Sequence, residues 1–106
     1  MADERAIQAQ EYRLLLARVE EHLDEADTGL AAVSDLEERF EKEDVTLLDS
    51  GLEALEQIAV TRDACNEAVH VLAVELMSRG ARAKDVAAAA HTTPNTVFRW
   101  KREAAI

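Results

Sequence analysis

The chain has 106 residues, which is enough for one modest hydrophobic core and too few for a large catalytic fold with its own cofactor domain. Charged side chains make up 32% of the residues and apolar ones 48%, a balance typical of folded rather than disordered chains. The single cysteine excludes an internal disulfide framework, and no apolar run reaches the ~20 residues of a membrane span. The first residues lack a signal-peptide pattern, so we expect a cytoplasmic protein with no membrane contact.

Charge is distributed unevenly along the chain. Residues 1–78 carry 6 basic and 20 acidic side chains, a net charge of −14, whereas residues 79–106 carry 6 basic and 2 acidic ones, a net charge of +4. The acidic average argues against a surface that coats nucleic acid as a whole. The asymmetry predicts an acidic body and a basic C-terminal module, of which only the module meets a polyanion.

Heptad spacing dominates the first forty residues. Apolar or small residues recur every seven positions, at Tyr12, Val19, Ala26, Val33 and Phe40. Leucines occupy the complementary positions of the repeat, at Leu16, Leu23 and Leu30. This pattern is typical of a helix that packs along a partner helix. We expect one long helix over about residues 3 to 42, and the alternative is two helices with a break near Gly29.

A second long helix is predicted to follow a short turn. Ser50 and Glu53 have the spacing of a capping box, in which a hydroxyl accepts from a first-turn amide and a carboxylate reaches back. Apolar residues then keep helical spacing up to Arg79, and Gly80 suits the left-handed end of a helix. The two helices form a coiled-coil-like hairpin in this interpretation. Its one-sided apolar seam predicts a homodimer through residues 1–78.

Residues 82–103 predict a short helix, a tight turn and a second helix, and the chain is therefore all-α. Val86 and Ala87 give the short helix a small inner face. Thr93 can cap the next helix through its hydroxyl, with Pro94 at the first helical position. We expect an acidic hairpin over residues 1–78 and a basic helix-turn-helix over residues 79–106.

The predicted helix from Pro94 to Glu103 has two different faces. Val97 and Trp100 are three residues apart and form an apolar side, where we interpret Trp100 as a core residue. The opposite side shows one amide and two guanidinium groups, which belong to Asn95, Arg99 and Arg102. Such a helix has the side chains of a recognition helix for DNA.

This segment resembles the helix-turn-helix of the resolvase/invertase C-terminal domain, of transposase DNA-binding domains and of the fourth region of sigma factors. The resemblance covers only residues 82–103 and rests on Val86-Ala87 and on the run Thr93-Pro94-Asn95-Thr96-Val97-Phe98-Arg99-Trp100. Those families usually have glycine where this chain has His91, and a hydrophobic residue where it has Thr92. The turn needs left-handed backbone, which histidine tolerates better than a bulky apolar residue.

The resemblance implies that the helix from Pro94 to Glu103 enters the major groove of double-stranded DNA. Asn95 and Arg99 would read base edges, because Asn pairs with adenine and Arg with guanine. The other basic and hydroxyl side chains would hold phosphates, and these are Thr93, Thr96, Lys101, Arg102, Lys84 and Arg82. About four phosphate contacts in one module predict a log–log salt slope near −3.6, at ~0.9 per phosphate.

We therefore expect a small sequence-specific DNA-binding protein, in the form of a dimeric transcriptional regulator. One alternative is an acidic helical adaptor, in which the helical body binds a protein partner and the C-terminal three-helix unit is structural. Another is a DNA-packaging or recombination accessory that forms a higher oligomer.

The sequence favours neither an enzyme nor a cofactor or metal protein. It lacks a nucleophile–base pair and a glycine-rich phosphate loop, which catalysis and nucleotide binding require. Cys65 and His70 are five residues apart, and no set of three or four ligands has the spacing of a zinc site. We interpret Cys65 as a small core residue instead.

Overall fold

The computed structural model describes residues 2–106, and they form five α-helices. These are α1 (Ala2–Ala17), α2 (Glu20–Lys42), α3 (Leu47–Ser78), α4 (Ala83–Ala89) and α5 (Pro94–Glu103). No strand occurs over residues 2–106, so the predicted all-α fold class is confirmed. Within the same stretch, none of the helices has both the length and the apolar character needed to cross a bilayer.

The described residues divide into two compact units. We call residues 21–67 the central unit, and residues 2–20 together with 68–106 the terminal unit. The central unit contains nearly all of α2 and the first part of α3. The terminal unit contains α1, the end of α3, α4 and α5. The domain boundary between residues 78 and 79 stays a prediction.

In the central unit, α2 and α3 contact each other while running in opposite directions. Gly29 lies against Thr61, and Arg39 Nη1 donates to Glu53 Oε1 at 3.2 Å, so later residues of α2 meet earlier residues of α3. A β-carbon at Gly29 would collide with the Thr61 hydroxyl. The missing side chain at Gly29 therefore permits this close approach. The buried Thr61 hydroxyl is satisfied within its own helix, because it donates to the Gln57 carbonyl at 2.8 Å.

The single helix predicted over residues 3 to 42 is wrong, and so is the alternative break near Gly29. A turn at Arg18 and Val19 separates α1 from α2, with amides that donate to carbonyls three residues earlier at 3.3 and 3.1 Å. Gly29 lies inside α2 and is buried. Glycine usually weakens a helix interior through its backbone entropy. Here the close packing on Thr61 offsets that cost.

Only half of the predicted heptad seam faces inward. Three residues of the first heptad position are buried or half-buried, namely Val19, Ala26 and Val33, whereas Tyr12 and Phe40 at its two ends are exposed. The leucines of the second position are exposed, and these are Leu16, Leu23 and Leu30. The other inward-facing positions of α2 are His22, Gly29 and Leu36. Ala26 and Gly29 allow the two helices to approach closely, and the larger Leu36 is buried further along the same line.

The capping box predicted at Ser50 and Glu53 is wrong, because α3 begins at Leu47. Thr46 Oγ1 accepts a hydrogen bond from the Asp49 amide at 3.1 Å. The Ser50 amide donates to the Thr46 carbonyl at 3.0 Å, so Ser50 already lies in the helix. Thr46 supplies the same hydroxyl chemistry four residues earlier than expected.

Two further predictions for α3 have opposite outcomes. Gly80 has φ 100 and follows the end of the helix at Ser78, so the predicted left-handed stop is confirmed. Cys65 is exposed, so its interpretation as a core residue is wrong. Ala64, one position earlier, takes the inward place on that turn of the helix.

Candidate nucleic-acid interface

A small apolar cluster holds α5 in the terminal unit. Val97 of α5 is 0% exposed. It packs with the other buried residues of the cluster, which are Ala73 and Met77 of α3 and Val86 and Ala87 of α4. Ala87 is itself 2% exposed, and its small size allows α4 and α5 to approach each other. The cluster fixes one side of α5 and leaves the other side to solvent.

Trp100 extends the contact between α5 and α3. Its ring centroid lies 5.0 Å from that of His70, and the two ring planes make an angle of 38°. The indole is half-buried and packs against the Val97 cluster, as its spacing from Val97 predicts. Trp100 therefore serves to position α5, because its ring face is occupied by protein.

The turn between α4 and α5 depends on one residue in an uncommon backbone conformation. His91 has φ 55, the left-handed backbone that the sequence predicts for this position. The amide of Thr92 donates to the Ala87 carbonyl at 3.0 Å, a bond that closes the end of α4. Histidine therefore occupies the position where the resembling families have glycine.

Thr93 and Pro94 begin α5 as the sequence predicts. Thr93 is the N-cap, its Oγ1 accepts from the Thr96 amide at 3.3 Å, and Pro94 is at the first helical position. The hydroxyls of Thr93 and Thr96 also form a hydrogen bond at 3.1 Å. That bond uses one of the two hydroxyl protons. The other proton remains for an acceptor outside the protein, such as a phosphate oxygen.

The outer face of α5 is polar with one aromatic ring. The predicted base-contacting residues Asn95 and Arg99 are exposed, and so is Arg102. Arg99 Nε lies 3.8 Å from Glu103 Oε1, a long ion pair at the surface that holds the guanidinium only weakly. Phe98 is 49% exposed on the same face. Sequence reasoning gave Phe98 no contact role, although its spacing of three after Asn95 and four before Arg102 indicates this face.

The cations around α4 and α5 differ in availability. Arg82 Nε donates to Asp85 Oδ2 at 2.9 Å, so a predicted phosphate ligand is already paired. Arg79 Nη1 donates to Glu11 Oε2 at 2.7 Å, and this hydrogen bond raises the pKa of Arg79 above its ordinary value. Apart from Arg99, the remaining cations of the module form no ion pair with any residue of the described chain, and these are Lys84, Lys101 and Arg102.

The central unit has a groove of the opposite charge. It runs between α2 and α3 beside Gly29, and it contains five carboxylates, on Glu21, Asp24, Glu25, Asp63 and Glu67. We call this surface the acidic groove. Over residues 2–106, no three His, Cys, Asp or Glu side chains are grouped so that they could hold a metal ion. The lining of the groove is therefore acidic, whereas the outer face of α5 carries the guanidinium groups of Arg99 and Arg102.

No family model matches this chain, and comparisons with curated proteins and with solved structures find no match. The function therefore has to follow from the chemistry of these surfaces.

Proposed function

We propose that the protein is a small sequence-specific DNA-binding protein that reads the major groove with α5 and acts as a dimeric transcriptional regulator. The observation that carries the proposal is the division of α5 into two faces. Val97 is fully buried against α3 and α4, while Asn95 and Arg99 are exposed on the opposite side. A helix held in this way can enter a groove about 12 Å wide without disturbing its own core.

In this proposal Asn95 and Arg99 supply the base contacts. The Asn95 amide can pair with adenine and the Arg99 guanidinium with guanine, both through two hydrogen bonds. To contact the base, Arg99 gives up its 3.8 Å contact with Glu103. Loss of this ion pair costs little free energy, because the pair is exposed to solvent. Phe98 lies on the same face and suits an apolar contact with the methyl group of thymine.

The phosphate contacts come from side chains around the base-reading face. Lys84, Lys101 and Arg102 have no carboxylate partner within the described residues, so their charges are free to neutralise phosphates. The hydroxyl proton left over by the Thr93–Thr96 pair adds one neutral donor. Arg82 contributes only after it leaves Asp85. These contacts set the position and orientation of the helix-turn-helix and carry no sequence information.

A homodimer through residues 1–78 completes the proposal. One helix-turn-helix offers only a few base contacts, so a single copy binds weakly. Two copies spaced about 34–36 Å apart would read an inverted repeat with half-sites one helical turn apart. The helical hairpin supplies the surface that joins the copies, and its acidity keeps DNA on the basic modules.

The test is fluorescence anisotropy with a labelled random-sequence duplex over a series of salt concentrations. We expect binding that weakens steeply with salt, with a slope near −3.6 for one module that holds about four phosphates. On a target site selected from a random pool, Arg99→Ala is expected to lower the affinity by roughly tenfold or more, since a bidentate contact to the preferred base is worth ~1–3 kcal/mol. Arg39→Ala is the matched control, because Arg39 is an exposed arginine of the central unit that forms only surface ion pairs, with Glu43 and Glu53. No binding at low salt, or equal losses in both variants, would contradict the proposal.

Base reading and phosphate holding can be separated with selected target sites. Asn95→Ala should relax the preference at one base pair, by ~1–3 kcal/mol against the preferred base. Lys101→Ala should weaken binding to all sequences alike and reduce the salt slope by about 1. If both variants relaxed specificity, or neither did, the assignment of roles on α5 would be wrong.

The acidic groove favours a second candidate function, an adaptor that binds a basic protein partner through the helical body. Its five carboxylates lie on one side of the helix pair, where they can meet a basic surface. The double substitution Asn95→Ala and Arg99→Ala distinguishes the two functions. It should abolish DNA binding, and it should leave binding of a basic partner unchanged.

A further inference from the structure

The central unit buries small side chains and exposes large ones. Its buried residues are Ala26, Gly29, Leu36, Thr61 and Ala64. Leucine and isoleucine residues nearby are half exposed or more, at 50% for Leu23, 57% for Leu30, 63% for Leu55 and 52% for Ile58. More than half of the accessible area of Leu30, Leu55 and Ile58 therefore lies in water when the chain is alone.

The exposed leucines of α2 lie on the side away from the acidic groove. The contact line of α2 passes through Ala26 and Gly29. Ala32 lies beside that line and lines the acidic groove. With 3.6 residues per turn, Leu23 and Leu30 fall on the opposite side of the same line.

The same division holds on α3. Its contact line passes through Thr61 and Ala64, and Val60 lies on the side that lines the acidic groove. Ile58 and Leu55 lie on the other side by the helical repeat. The helix pair therefore has an acidic side and a side with exposed leucine and isoleucine residues, on which Arg62 also lies. We call the four residues Leu23, Leu30, Leu55 and Ile58 the apolar face.

We infer that the apolar face is covered by the same face of a second copy of this chain, so that two helix pairs form a four-helix dimer. This inference rests on the proposed homodimer through residues 1–78 and names the face that forms it. A symmetric dimer brings the same patch of both copies together, and a patch of leucine and isoleucine is complementary to itself. The acidic groove repels an identical groove, so two copies cannot pair through that side.

The size of the face fits a stable dimer. A side formed by two helices of about 20 residues is about 30 Å long and about 20 Å wide. The area of this side approaches the ~800 Å² that each partner buries in a standard interface, once the uneven surface of the side chains is included. Four-helix bundles have this architecture, with large apolar side chains in the middle.

Cys65 provides a natural reporter of the interface. It lies seven residues after Ile58 on α3, so the helical repeat places it on the side of the apolar face. The thiol is exposed in the single chain. Because it is the single cysteine of the sequence, any thiol reaction reports on this position alone.

The decisive experiment compares two substitutions two residues apart. Ile58 and Val60 are 52% and 51% exposed, and they lie on opposite sides of the helix pair. Sedimentation velocity should show a dimer for the wild type and for Val60→Glu, and a monomer for Ile58→Glu. In the dimer a glutamate in the apolar face would lose its hydration, whereas a glutamate in the acidic groove stays in water.

Thiol reactivity tests the same interface without any substitution. The reaction of Cys65 with Ellman's reagent should slow by about tenfold or more as the wild-type protein is concentrated into the dimer range. The rate for Ile58→Glu should stay high at all concentrations. Val60→Glu should follow the wild type.

A wild-type monomer at all concentrations would overturn the inference, and so would a dimer that survives Ile58→Glu. Equal dissociation by Val60→Glu would overturn the choice of face. If Ile58→Glu lost helical circular dichroism, Leu30→Glu would take its place in the comparison, since Leu30 is 57% exposed and lies on the same face. Failure of DNA binding would not bear on the dimer, because the dimer can form with or without a functional α5.

Discussion

The terminal and central units are both helical, yet they place their large apolar side chains differently. In the terminal unit, Val97 is 0% exposed and lies at the centre of a cluster shared by three helices. In the central unit, Leu30 is 57% exposed while Gly29 beside it is buried. A buried valine contributes ~1.5–3 kcal/mol of transfer free energy, and a glycine contributes almost none.

This difference indicates where each unit obtains its stability. The terminal unit has a core of its own around Val97, and this core keeps α5 in place without a second copy of the chain. The central unit brings its helices close through small residues, which orders them but buries little apolar area. A substitution of an inward-facing residue should therefore change stability by different amounts in the two units.

The largest expected effect is at the centre of the terminal unit. Val97→Asp places a charge in a cluster that offers it no partner, and we expect a loss of about 3–5 kcal/mol in the free energy of unfolding. Urea titration followed by circular dichroism measures the change. Phe98→Asp is the control, since Phe98 is 49% exposed and its replacement should change stability little. Similar losses in both variants would show that the cluster is not the core of this unit.

A smaller loss is expected where the two helices of the central unit cross. Gly29→Leu forces a side chain against Thr61, and overpacking of this kind costs about 1–3 kcal/mol. Gly51→Ala is the matched control, because nothing lies within 4 Å of the added β-carbon. That change should stabilise the protein by roughly 0.5–1 kcal/mol through helix propensity. Stabilisation by both substitutions would contradict the close approach at Gly29.

The smallest effect is expected at the turn between α4 and α5. His91 has φ 55, a conformation that costs a residue with a β-carbon about 1 kcal/mol. His91→Gly should therefore raise the midpoint of thermal unfolding by a few degrees. His91→Val should lower it, because a β-branched residue tolerates this backbone worst. A higher midpoint for His91→Val than for His91→Gly would contradict the strain assigned to this turn.

The sequence predicts the C-terminal elements well because their signals are local. Thr93 and Pro94 mark the start of α5 within two residues, and the observed helix has the predicted ends. The left-handed backbone at Gly80 is likewise a property of the residue itself. The identity of the buried face of α5 follows from the spacing of Val97 and Trp100.

The parts that could not be predicted depend on residues far apart in the chain. Gly29 suggests a helix break in the sequence, whereas in the structure it permits the close contact with Thr61. The turn at Arg18 and Val19 has neither glycine nor proline to announce it. The ion pair of Arg79 with Glu11 joins residues that are 68 positions apart in the sequence, so no local pattern predicts it. For the candidate site, the exposure of Asn95 and Arg99 was predictable, whereas their binding to DNA remains a prediction.

The contact between Trp100 and His70 also makes the protein convenient to follow by spectroscopy. Trp100 is the single tryptophan of the sequence, and its indole lies in the terminal unit with a ring centroid 5.0 Å from that of His70. Its emission therefore reports when this contact opens and is insensitive to local melting of α2. Far-ultraviolet circular dichroism records all five helices. Unfolding curves that differ between the two signals would reveal a chain that loses its order in two steps.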